Sequence, residues 1–252
     1  MICKKSGFGR IFVDKLMLLP ADRGESVTIK ESRWGWYRRV AVILLFIPAL
    51  PAASQEIPGY PSMDANNYDS REIAMLPPYC PYAQIFRDRV AGAKVDSEIQ
   101  RWYAQLGATF HHMHHYCWGL MKTNRAVLLA RSRDIRDFYL RDSIGEFEYV
   151  IQRAPSDFVL LPEIITKQSE NLVRLGKGPV AVLGFERAAE LKPDYWPPYA
   201  HISDYYKEAG DIPKARAALE KGLSFAPDAS ALKRRLTELE QSQAARRPAS
   251  KP

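Results

Sequence analysis

From about residue 108 onward, apolar positions recur at three- and four-residue intervals, and no run alternates with the two-residue period of a strand. The pattern predicts helices over 108–131 and 134–154, parted near the "RSRD" stretch at 131–134. Upstream, "AQIFRDRVAGAKVDSEIQRWYAQLG" (83–107) predicts one or two short helices. Gln55 to about Pro81 is rich in Pro, Tyr and Asn, and prolines at that spacing deny a helix its backbone donors, so an extended segment is expected there. The expected class is all-α.

The second half contains an internal repeat. "GKGPVAVLGFERAAELKP" (176–193) aligns with "GDIPKARAALEKGLSFAP" (210–227) at an offset of 34. Gly176 pairs with Gly210, Ala181 with Ala215, Phe185 with Leu219, Ala188 with Gly222 and Pro193 with Pro227. Ile165 and Leu172 match Tyr199 and Tyr206 at large-residue positions of the preceding helix. The glycines suit a turn, the small residues let two helices approach, and the prolines end the second helix.

This pattern resembles the tetratricopeptide repeat (TPR), a helix–turn–helix unit of the same period. "EFEYVIQRAPSD" (146–157) resembles a degenerate earlier copy, its Pro155 standing slightly further from Pro193 than the repeat period allows. "SALKRRLTELEQSQAARR" supplies an amphipathic helix suited to capping the array. The resemblance covers roughly residues 124–240. The expected organisation is a leader (1–54), an irregular segment with short helices (55–107), and a long helical hairpin (108–161). Two repeats (162–195 and 196–229) and a capping helix with a disordered tail (230–252) complete it.

The net charge of +7 invites an acidic partner, but the charge is uneven. Residues 1–54 hold nine Lys/Arg against four Asp/Glu, leaving 27 against 25 in the remainder. Nucleic-acid binding is therefore not expected. The leader ends in "WYRRVAVILLFIPALPAASQ": two arginines, an apolar run from Val40 to Leu50, then small residues. That is the order of a secretory signal peptide cleaved after Ala53 or Ser54, and the run falls well short of the roughly 20 residues that span a bilayer. An uncleaved anchor is the alternative. The stretch ahead of Arg38 is longer than an ordinary n-region, so translation is expected to begin at Met17 or near Val27, which would remove Cys3. The expected location is the periplasm, with no stable membrane anchor after cleavage. Cys80 and Cys117 then remain in an oxidising compartment, where an even pair is expected to form a disulfide.

Two candidate sites follow. TPR proteins bind other proteins or peptides along the concave face formed by each repeat's first helix. Carried over, the resemblance implies Thr166, Glu170, Val173 and Arg174 from one repeat, and Ala200, Asp204, Lys207 and Glu208 from the next. Their mixed charge differs from a basic clamp for a terminal carboxylate, and an ordinary solvated helix face is the plainer alternative. Trp196, beside two prolines, could serve as an exposed anchor.

The second is "HHMHHYCWGL" (111–120), which holds four of the five histidines. On one continuous helix His111 and His115 would share a face and could chelate zinc or copper, with His112 and His114 nearby. Sulfur from Met113 or Cys117 would favour copper. No recognisable ligand spacing supports zinc hydrolase or covalent haem chemistry. The other reading is structural: Phe110, Met113, Cys117, Leu120 and Met121 form an apolar stripe, with Gly119 allowing close packing and Cys80 stapling the Pro-rich segment to it. The leading expectation is a non-catalytic, cofactor-free interaction protein of the cell envelope, with periplasmic copper or zinc binding as the alternative.

Overall fold

The computed structural model describes residues 68–246; the leader, residues 55–67 and the last six residues lie outside it. The described chain is all-α, without a strand among these residues, and its helical hairpins stack as a solenoid. The first part is built of short pieces: α1 (Ser70–Ala74), α2 (Phe86–Arg89) and α3 (Asp96–Leu106), with a 3₁₀ turn at Cys80–Tyr82. α1 starts where the Asp69 carboxylate accepts the Arg71 N–H at 2.8 Å.

The predicted helix over 108–131 is three segments instead. Gly107–His112 is a 3₁₀ stretch, Met113–Asn124 is α4, and Arg125–Leu129 is a π turn. The π turn delivers Arg125 into the interior, where its guanidinium donates to Glu72 of α1 at 2.5 and 2.8 Å. Both side chains are almost wholly buried, so a charge that the helical pattern would leave in solvent ties α1 to the end of α4.

α5 (Arg133–Ile151) returns antiparallel to α4. Ser132 caps it through its hydroxyl, which accepts from Ile135 N at 3.3 Å. A Cβ at Gly119 would overlap the Phe147 ring, so α4 and α5 touch at that glycine. Phe110, Met113, Cys117, Met121, Phe147 and Val150 belong to one buried core that also takes Leu76, Tyr79, Cys80 and Phe86 from the short pieces.

The repeats follow as α6 (Leu161–Arg174), α7 (Gly178–Leu191), α8 (Pro197–Glu208), α9 (Ile212–Phe225) and α10 (Ser230–Arg246). α6 pairs with α7 and α8 with α9, and α10 lies on α9 and α8. The two turns are the same device. Gly176 and Gly210 have φ of 75° and 79°, a conformation that costs glycine no Cβ clash. The next N–H reaches back across the turn, Lys177 to Leu172 O at 2.9 Å and Asp211 to Tyr206 O at 2.8 Å. Ala181, Ala215, Phe185 and Leu219 are wholly buried between the helices. The first helices of successive hairpins touch one another, α4 with α6, α6 with α8 and α8 with α10, which puts them on the inside of the curve.

Candidate functional site

The inner face is built from α6, α8 and α10. Thr166 and Ala200 are buried in it, and Thr166 Oγ1 donates to Pro162 O at 2.7 Å. They form the floor between helices and offer a partner no surface. Glu170 is 12 % exposed and already engaged: it accepts from Lys167 Nζ at 2.9 Å and from His201 Nε2 of α8 at 3.2 Å. Burial alone would raise its carboxyl; the His201 hydrogen bond and the Lys167 charge outweigh that and hold it at about 2. Asp204 takes Arg235 of α10 at 3.2 Å.

These contacts obey the repeat. His201 and Arg235 are 34 positions apart, and so are Glu170 and Asp204. α8 and α10 therefore each reach back with a basic side chain to an acid of the preceding first helix. One step earlier, Tyr116 of α4 donates to Glu163 of α6 at 2.6 Å. Sequence reasoning passed over Glu163, His201 and Arg235. The usable signal was a base following an acid at one fixed separation, the same for Glu170 and His201 as for Asp204 and Arg235, recurring at the repeat period.

What stays open on the inner face is narrower than the implied set. Val173, Arg174, Lys207 and Glu208 are exposed. Asp204, Lys207 and Glu208 line a concavity of about 370 Å³ with Ile212 and Ser242. Trp196 caps α8 and is 36 % exposed.

The histidine segment does not share one face. His111 and His112 end a 3₁₀ stretch whose three-residue turn breaks the α register with His115. His111 lies edge-on to Tyr103, and its carbonyl accepts from His114 Nδ1 at 2.9 Å. His112 faces Tyr149. His114 is buried, and burial, then the charge of His115, bring its imidazole down to about 4. His115 bonds Glu146 of α5 at 2.6 Å and stacks on Tyr149 at 3.6 Å between ring centres. Glu146 also takes Lys122 Nζ at 2.5 Å. Burial would raise the Glu146 carboxyl, but these two donors hold it below its ordinary value. Cys117 is joined to Cys80 with Cα atoms 5.7 Å apart, so it offers no thiolate. Among the described residues no three His, Cys, Asp or Glu side chains are grouped to hold a metal ion. The candidate ligands His111, His115, His112 and His114 pack among aromatic rings: His111 on Tyr103, His112 and His115 both on Tyr149, and His114 and His115 against each other and Trp118.

No family model matches the chain. It is 31 % identical over 104 residues to a Hsp70-Hsp90 organizing protein of Triticum aestivum, a match covering 41 % of this chain and 17 % of that protein. The chain therefore spans about a sixth of the length of this relative. No helix among the described residues is long and apolar enough to cross a membrane.

Proposed function

We propose that this chain is an exported, non-catalytic TPR-type module that holds a segment of another protein against the inner face of α6, α8 and α10. The observation carrying the proposal is the repeat-equivalent pairing of those helices, which leaves Val173, Arg174, Lys207 and Glu208 exposed along a braced inner surface. The partial likeness to a protein named as organizing Hsp70 and Hsp90 supports the same reading. The sequence order of residues 34–54 and the Cys80–Cys117 pair support a periplasmic site of action in a Gram-negative envelope.

Within this role Glu170 and Asp204 brace the surface, and Arg174 and Lys207 contact the partner. A photo-crosslinking amino acid placed at Val173 or Lys207 should trap the same partner in envelope preparations. The same group at Leu183, on the outer side of α7, should not. Equal crosslinking from all three positions would remove the inner face from the proposal. Cell fractionation with N-terminal sequencing tests the location, which requires a mature chain beginning near residue 54 in the periplasmic fraction.

A further inference from the structure

A second concavity, about 410 Å³, lies away from the inner face, where the 3₁₀ stretch after α3 meets the link from α5 to α6. Leu106 and Phe158, both buried, form an apolar floor, and Arg153, His112 and Asp157 stand around it. Arg153 is held in place: its guanidinium carbon sits 3.6 Å from the Tyr149 ring centre, and Nη1 donates to Tyr149 O at 3.1 Å. The His115 ring is also 3.6 Å from that centre, so Arg153 and His115 must cover opposite faces of Tyr149. The His115–Glu146 bond fixes the far side of this stack. Arg153 is therefore pre-positioned, with further N–H groups directed elsewhere than the Tyr149 carbonyl.

Arg153 and Asp157 line the same cavity from exposed positions, and they form no ion pair with each other, Arg153 donating to the Tyr149 carbonyl instead. A simple anion entering there meets Asp157, and a simple cation meets Arg153. A ligand carrying both charges on a short apolar body satisfies both, and the floor favours the apolar part. We propose that this cavity binds a free α-amino acid with an apolar side chain, its carboxylate on Arg153, its ammonium on Asp157 and its side chain over Leu106 and Phe158. Gln105 and Thr109, also in the lining, offer neutral hydrogen-bonding groups compatible with either end.

His112 provides an internal reporter. Burial, then the Arg153 charge, hold its imidazole below 6.5 in the free protein. A carboxylate on Arg153 offsets that charge and should move the His112 midpoint upward.

The test is calorimetric titration of the full exported chain with leucine, N-acetylleucine and leucinamide, alongside NMR titration of the His112 ring. Leucine should saturate, and each analogue should bind at least about tenfold more weakly, since each lacks one charge-assisted contact. Arg153→Gln and Asp157→Asn should each weaken leucine by a similar factor while unfolding at the parent temperature. Leucine should raise the His112 midpoint in the parent and leave it unmoved in Asp157→Asn at the same concentration. The proposal is overturned if leucine does not saturate, if either analogue matches it, or if both variants bind as the parent does.

Discussion

Residues 68–158 and residues 161–246 are both helical, but they are held together by different means. The first region joins short, irregular pieces through long-range links: a disulfide between positions 80 and 117, a buried ion pair between 72 and 125, and a core of aromatic rings. The second stacks hairpins of nearly equal length, with small residues buried between paired helices and a base against an acid at equivalent positions of its successive first helices. A repeat array spreads its stability over nearest-neighbour contacts, so losing one contact costs little beyond its own interface. The first region concentrates stability in a few links that close long loops, and losing one should loosen the whole of it.

The sharpest test of that contrast is Glu72→Ala. It leaves the Arg125 guanidinium buried without its carboxylate and should cost about 3–5 kcal/mol. Denaturant unfolding followed by the fluorescence of Trp102 and Trp118 should report the loss. Replacing Cys80 and Cys117 together by Ala should cost about 3–4 kcal/mol, the chain entropy of a loop of this separation. Hydrogen exchange in that variant should accelerate across residues 68–131 and stay unchanged in α8 to α10; acceleration throughout would erase the distinction between the regions.

The regions should also respond to acid in different windows. Folded His114 titrates at about 4 against an ordinary 6.5, so the folded state binds fewer protons between those values. Stability from keeping it neutral is complete above pH 6.5 and is lost as pH falls towards 4. Glu170 is held at about 2 against 4.5, so its contribution is present above pH 4.5 and is lost as pH falls towards 2. The first region should weaken first on acidification, as seen by residue-resolved NMR. His114→Gln should diminish the early phase, to which His112 also contributes, and Glu170→Gln should diminish the late one in the second region.

Smaller effects test whether the two regions nonetheless share a packing rule. A Cβ on Gly222 would lie 2.7 Å from Leu232 and 2.8 Å from Tyr199, and one on Gly119 would meet Phe147. Gly119→Ala and Gly222→Ala should each cost about 1–3 kcal/mol in thermal unfolding. The smallest change expected is Asp204→Asn. Its pair with Arg235 is partly exposed, and the loss should stay within about 1 kcal/mol and shrink in high salt. A larger loss would mean that the second region also depends on single links.

The apolar period and the glycine, alanine and proline spacing at an offset of 34 carried the hairpins of residues 161–229, because those turns and close approaches depend on residues near one another in the chain. The choice of inner-face residues was only partly legible. Glu170 and Asp204 occupy inner positions, but nothing in one helix tells that a base of the next will reach back to them. The histidine segment shows the same limit more strongly. His111, His112, His114 and His115 lie within five positions, yet a 3₁₀ stretch turns two of them away from the α register and Glu146, far along the chain on α5, claims another.

Sequence alone therefore determined the helical class, the repeat and the small-residue contacts within each hairpin, since these follow from local periodicity and sterics. Only the tertiary structure decided which charges meet. It joined Arg125 to Glu72, His201 to Glu170, Arg235 to Asp204 and His115 to Glu146, because pairs so distant in the chain are selected by packing and desolvation, which no local pattern records.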